Sequence, residues 1–448
     1  NRYFAEFNFG YNGSERFHKS KRFGFFPSAG LAWVVSNESF WDPFKSVVSK
    51  LKLRASVGSV GNDNIGGRRF AYITTINSNS SGYHFGYTDS NYYTGIQEGE
   101  VGVSDLTWEK ALKMNIGLEL GLWNELDVQL DFFKEKRTSI FMQRSTIPTQ
   151  AGFVSNPYAN YGKVNNQGYD LSVTYNKRFN DDWAMSLRGT VTYAKNEILE
   201  KDEENTVYPY QTEAGYRVNQ AKGLIALGLF KDYDDIRNSP QQTAWGKVQP
   251  GDIKYKDVNG DGVINDGDKV AIGATTKPNL IYGFGISAQW KGFDFNVHFQ
   301  GAGKSSFFIN GSTVFAFKDS QWGNVLGNLV ANRWVDADTA AKLGIPANED
   351  PNASYPRLSY GGNDNNQQKS TFWLKNGSYL RLKTLEVGYT LPKSIVNKIK
   401  FNNIRVFFIG TNLLTFAKFK EWDPELGSST GAEYPLSRVM TLGLTVNI

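Results

Sequence analysis

The sequence predicts an all-β chain, a transmembrane antiparallel β-barrel segment of roughly twelve strands. Three observations carry that expectation: strict two-residue alternation over lengths that suit a tilted strand crossing a bilayer, alternating short and long connections, and heavy aromatic loading on a polar average. Tyr 23, Phe 31 and Trp 11 make up 15% of 448 residues, yet the mean hydropathy is −0.44. A barrel wall reconciles the two, because lipid-facing apolar residues alternate with polar ones on the other face. A helical span needs about 20 apolar residues in a row, and the longest apolar stretch, near residues 223–230, is far shorter.

The strands follow in order. The first three centre near Tyr3, Trp33 and Leu53. Met114, Ile116, Leu118, Leu120 and Leu122 then share one face, opposite Asn115, Gly117, Glu119 and Gly121. Leu126, Val128, Leu130 and Phe132 oppose Asp127, Gln129 and Asp131. Tyr169, Leu171, Val173 and Tyr175 repeat the pattern, as do Met185, Leu187, Val191 and Tyr193. Tyr282 to Trp290 and Phe293 to Phe299 form two more alternating runs, strands near Leu385 and Val406 follow, and Met440, Leu442, Leu444, Val446 and Ile448 line the last.

Short turns are expected at residues 123–125, 180–182 and 291–292, with a longer one at 392–403. Long connections are expected at 62–107, 141–168, 195–279, 301–375 and 418–434. Outer-membrane barrels keep short turns in the periplasm and long loops outside, which puts Ile448 at the periplasmic end. Trp123, Trp183 and Trp290 beside short turns fit an interfacial aromatic girdle. A soluble β-sandwich with an aromatic core is the competing reading, and it explains the one-sided loop lengths poorly.

Lys and Arg (49) and Asp and Glu (44) are interspersed, so no basic footprint for nucleic acid appears. Cysteine is absent, which removes disulfides, thiolate metal sites and cysteine nucleophiles. The three histidines, His18, His84 and His298, have no ligand spacing. No carboxylate pair or Ser/His/Asp set is placed by the sequence for catalysis, so the chain is not expected to be an enzyme. Gly301 to Ser305 resembles the end of a phosphate loop, but His298 stands where a glycine is needed.

Residues 257–268 match a twelve-position calcium loop. Asp257, Asn259 and Asp261 occupy positions one, three and five, the Val263 carbonyl position seven and Asp268 position twelve, with Gly262 at the sharp turn and Ile264 directed inward. Ca²⁺ is the cofactor this spacing implies, and a turn cluster closed by its own hydrogen bonds is the alternative. Asp in place of Glu at position twelve shortens the reach. Loop aromatics, including Tyr92, Tyr93, Tyr233, Trp245, Trp322 and Trp373, are candidates for substrate stacking, against ordinary loop packing.

Several stretches resemble the SusC/RagA-type TonB-dependent outer-membrane transporters of Bacteroidetes: RYFAEFNFGYNGSERF from Arg2, FGFFPSAGLAW from Phe23, DVNGDGVINDGDKVAIG from Asp257, the YGF and Trp-Lys-Gly-Phe elements between Pro278 and Gln300, YPRL from Tyr355, FWLKNGSYLRLKTLEVGYTLP from Phe372 and NLLTF from Asn412. Their order spans nearly the whole chain. The resemblance implies the C-terminal part of a 22-stranded plugged barrel over residues 1–448, with the plug and first strands outside this sequence. It implies a bacterial outer-membrane location, TonB-energised import of a glycan or peptide, and a SusD-like lipoprotein lid. Ile448 departs from the aromatic residue that usually ends family members. The alternative role is a structural or docking subunit of a larger outer-membrane machine, in secretion or barrel assembly.

Overall fold

A computed structural model describes residues 1–311, 314–317 and 325–448. Twelve long strands form one sheet with neighbours in simple chain order. They are β1 (Tyr3–Gly13), β2 (Phe23–Val34), β3 (Val48–Asn62), β4 (Glu109–Leu122), β5 (Leu126–Gln143), β6 (Tyr158–Arg178), β7 (Trp183–Glu200), β8 (Leu280–Trp290), β9 (Phe293–Gly303), β10 (Tyr379–Thr390), β11 (Asn403–Ala417) and β12 (Val439–Asn447). Every window expected from alternation holds one of them. Among the described residues no helix is long and apolar enough to cross a membrane, a fact that bears on helical spans alone.

The register explains why the alternation is readable. Antiparallel partners project to the same face, so each apolar residue extends a row across its neighbours. The row Tyr3–Trp33–Leu53–Leu118–Leu130–Leu171 runs over six strands. Trp290–Phe293–Tyr389–Val406–Leu444 does the same over five. Many of the large side chains on this face are solvent-exposed, among them Tyr3, Leu53, Phe132, Trp290, Phe293, Val406 and Leu444. A soluble sheet would bury that face, whereas a bilayer covers it.

The chain divides into two compact units. The first comprises residues 1–175, 192–206 and 212–218. Its connectors pack Phe17, Phe26, Ile65, Leu106 and Trp108 into a small apolar cluster, and the Trp108 indole N–H donates to the Arg22 carbonyl at 3.0 Å. Asp202 ties down the 144–157 connector through the Arg144 guanidinium, the Thr146 hydroxyl and the Ser145 and Thr146 backbone N–H groups. Burial pushes this carboxyl up, and those donors outweigh it and hold it well below the usual carboxylate range. A hairpin of Ile76–Phe85 and Asn91–Glu98, not anticipated from the sequence, stands in the 63–108 connection.

The second unit comprises residues 176–191, 207–211 and 219–448. Its long connections collapse onto one another around Leu224, Ile253, Tyr255, Ile264, Phe307, Trp334, Tyr355, Trp373 and Phe419. They therefore form a loop body with a hydrophobic core of its own.

Turn chemistry fits the short connections. Trp123 and Asn124 both have positive φ, 55° and 57°, and Glu125 N–H donates to the Leu122 carbonyl at 3.0 Å, the two-residue turn whose twist matches a hairpin. Lys291 and Gly292 join β8 to β9 in the same way. Two expectations change in detail. Half of residues 141–168 is strand, since β5 extends to Gln143 and β6 starts at Tyr158. Short helices, Tyr233–Arg237, Gly327–Asn332 and Ala337–Leu343, interrupt the loops.

Candidate functional site

The polar face of the sheet carries paired charge. In the first unit Arg54 Nη2 meets Asp131 Oδ2 at 2.6 Å, and Lys50 and Lys52 reach Glu119 at 2.7 and 3.2 Å. Gly117 lies between these strands because a Cβ there would stand 2.7 Å from both Arg54 Nε and Asp131 Oδ1. In the second unit Arg405 bridges Asp294 and Glu386, the latter at 2.6 Å. His298 lies on this face, where a Cβ on Gly283 would meet its ring. Charges on this face are paired across strands, which suits the polar interior of a barrel wall.

The loop body is organised by Asp252, whose side chain is fully buried. The short strand Ile253–Tyr255 pairs with Ala226–Leu229 on one edge. Side chains substitute for a strand on the other. Asn366 Oδ1 accepts from Ile253 N–H at 2.8 Å, Gln242 Oε1 accepts from Tyr255 N–H at 2.9 Å, and Gln242 Nε2 donates to the Ile253 carbonyl at 2.7 Å. Asp252 then accepts from Asn363 and Asn366 Nδ2, both at 2.9 Å, and from Gln249 N–H at 2.8 Å, and pairs with Arg357 Nε at 2.8 Å. The charge is thereby offset by a cation and three further donors, the condition under which a buried carboxylate is tolerated. Burial raises the Tyr255 phenol above its usual range, so it remains a donor, to the Asn365 carbonyl at 2.7 Å.

The calcium-type loop docks on this body. Ile264 is completely buried in the core, as its spacing implied, and Gly262 has φ +80°, a conformation that favours glycine. Asp257 accepts from Gly260 and Gly262 N–H, Asn259 from Asp261 N–H, and Asp261 from Val263 N–H, at 2.7 to 3.0 Å. Asp268 is fully buried and staples both ends, accepting from Val258 and Asn265 N–H at 2.8 and 2.9 Å. Among the described residues no three acidic or histidine groups form a ready-made metal cage. The donor set nevertheless suits a hard cation: each carboxylate oxygen keeps a second lone pair, and Asn259 and the Val263 carbonyl supply the neutral oxygens that calcium loops use.

The stacking candidates separate. Tyr233 is exposed. Trp245 is half-buried against the core, edge-on to Tyr255, with Lys269 Nζ 5.4 Å from its ring centroid. Trp373 is a core residue whose indole N–H donates to the Asn366 carbonyl at 2.6 Å, so it presents no face to a ligand. Trp322 lies outside the described residues. Sequence reasoning missed Asp252 and its partners, and also the stacked Tyr208 and Tyr210, 5.3 Å apart, which reach Asn259 and the Gly267 carbonyl. The Pro-Gly-Asp run at 250–252 and the Asn-rich run at 363–366 were the available signals.

Comparison with known proteins agrees with this architecture. Residues 2–298 match the family model described as TonB dependent receptor-like, beta-barrel. The chain is 29% identical to TonB-dependent receptor P26 of Formosa agariphila, covering 97% of this chain and 43% of that protein. It is 26% identical to TonB-dependent receptor SusC of Bacteroides thetaiotaomicron, covering 100% of this chain and 42% of the relative. The RagAB peptide transporter is similar in fold, with a TM-score of 0.74 at 24% identity, over 100% of this chain and 46% of that one. The chain thus spans less than half the length of the relatives it matches.

Proposed function

The chain belongs to the TonB-dependent receptor-like β-barrel family of the outer membrane, and from that premise we propose that it supplies the C-terminal part of the barrel of a nutrient importer. The cargo in this reading is a glycan or a peptide, and the barrel works with a SusD-like lipoprotein lid and with TonB. The observation that carries it is the segregation of the two faces within each unit, one bearing exposed large apolar side chains and the other paired charges, Arg54–Asp131 in the first unit and Arg405–Glu386 in the second. A wall of that kind separates lipid from water. Its polar face binds and passes a solute without bond chemistry.

The long connections are extracellular in this reading. A cysteine placed at exposed Asn238 is expected to react with an impermeant maleimide on intact cells, and one at Asn180 only after the outer membrane is opened. Labelling of Asn180 and not Asn238 on intact cells would reverse the orientation.

We also propose that Asp257, Asn259, Asp261, Asp268 and the Val263 carbonyl hold Ca²⁺. A structure in millimolar calcium should then show a peak with oxygens at about 2.3 to 2.6 Å. An empty loop at that concentration would end the metal reading and leave the transport reading untouched.

A further inference from the structure

On β4, β5 and β7 the apolar face of the first unit ends in lysines toward the long connections, whereas on β1 and β2 it runs on through exposed Phe9, Tyr11 and Phe25. Phe132 pairs with Tyr169, and the Tyr193 ring lies 5.7 Å from Tyr169, which makes an aromatic row across β5, β6 and β7. Lys134 is the next residue on the same face after Phe132, paired to Met114 on β4 and Gln167 on β6. Lys136 follows it, paired to Leu112, and Lys110 lies diagonal to Lys136 on β4. Lys195 stands two residues past Tyr193. All four are exposed.

Their pairing differs from that of lysines elsewhere in the unit. Lys50 and Lys52 meet Glu119, and Lys163 meets Glu200 at 2.7 Å. Lys110, Lys134, Lys136 and Lys195 pair with no carboxylate among the described residues. Glu197, two residues past Lys195, is the acidic side chain on the same face of β7. Net positive charge therefore sits at the rim of the lipid-facing surface, immediately beyond its aromatic row.

We propose that Lys110, Lys134, Lys136 and Lys195 form a docking row for the phosphate groups of a glycolipid in the outer leaflet of the membrane. Two steps lead there. About ten steps of roughly 3.3 Å from Leu126 to Lys136, on a strand tilted by about 40°, climb roughly 25 Å, the height of the apolar band, so Lys136 lies at headgroup depth and Lys134 reaches it by extending its stem. At that depth the groups that complement an unpaired ammonium are lipid phosphates, and each lysine near an anionic surface strengthens binding. Lysines that only lift their ammonium groups into water at the band edge would need no ligand.

The inference rests on the outward orientation of the long connections, so the experiment reads both. Full-length protein is extracted from its native outer membrane in mild detergent and its retained lipids are identified by native mass spectrometry. Wild type should retain phosphorylated glycolipid and lose it to competition by the same glycolipid but not by its dephosphorylated form. The triple variant K134Q/K136Q/K195Q should bind it roughly a hundredfold more weakly, while K134R/K136R/K195R, which keeps the charge and guards against a folding defect, should retain it. Equal retention in wild type and the Gln variant, with Asn238 still labelled from outside, would overturn the docking row and leave the orientation standing. Loss of a glycerophospholipid instead of the glycolipid would place the row at the other leaflet and overturn both.

Discussion

Replacing Asp252 with alanine is expected to open the loop body while the strands stay folded. The carboxylate is fully buried and takes up Arg357, Asn363, Asn366 and the Gln249 N–H. Removing it leaves the half-buried Arg357 guanidinium without its counter-ion and the buried Asn366 amide without its acceptor, a loss of about 3 kcal/mol, the low end for a pair broken on one side. That cost falls on a body held by one apolar cluster. Asp252→Asn should be milder, because it keeps the shape and one acceptor oxygen but presents an amide N–H₂ to donors. Limited proteolysis of outer membranes checks this: the alanine variant should be cut within residues 219–279 and 325–375 at least tenfold faster than wild type, with heat-modifiable mobility of the barrel preserved. Unchanged protection would mean that the Asp252 network is redundant with the core around Trp373 and Tyr355.

The contrast between these two parts of the molecule also explains what could be read from the sequence. All twelve strands were legible because each meets the bilayer through residues two apart, so the pattern is local. Ile286, for instance, needs no knowledge of Val297 or Leu385 to declare its face, although it shares a row with both. Where the strands leave the apolar band the pattern stops but the hydrogen bonds do not. Lys136 still pairs with Asn165 and Gln143 with Tyr158, which is why residues 141–168 read as loop. The hairpin at 76–98 was hidden because its aromatics fall on both faces, Tyr83 and Tyr93 on one and Tyr92 on the other, so no apolar–polar alternation marks it.

The loop body was illegible for a different reason. Asp252 meets Arg357 and Asn366 across more than a hundred residues, and nothing in the local run Pro-Gly-Asp-Ile-Lys-Tyr says that its charge will be buried. Trp373 shows the same limit. Its aromatic ring was as plausible on a sugar as in a core, and only its packing with Phe315, Tyr355 and Phe372 decides for the core. The calcium-type loop lies between these cases. Its spacing is local and Ile264 took the buried place that the spacing implied, while Asp268 became a staple for Val258 and Asn265.

Extraction of the native full-length protein in mild detergent is expected to recover a SusD-like lipoprotein in near-equal amount, the largest effect the proposed import mechanism entails. Ordering long connections costs about 1 to 2 kcal/mol per residue in backbone entropy. The second unit offsets that cost by packing its loops on one another. The hairpin of the first unit has no such cover. Tyr83, Phe85, Tyr87, Tyr92 and Tyr93 are all more than half exposed, Tyr87 completely, and a two-stranded hairpin on its own is marginal in water. Its Tyr-, Ser-, Asn- and Gly-rich sequence is the composition of a recognition surface, where rigid aromatic anchors sit among adaptable polar groups. A specific lid should bury well over roughly 1,000 Å² with anchors of this kind near its centre. Truncating two of them, Tyr83→Ser and Tyr93→Ser, should then lower the recovered partner by about a hundredfold at limiting concentration, taking roughly 1.4 kcal/mol for each anchor. Full recovery of the lipoprotein with that double variant would move the interface away from the hairpin. Recovery of the barrel alone from wild-type membranes would count against the lid and against the import mechanism that depends on it.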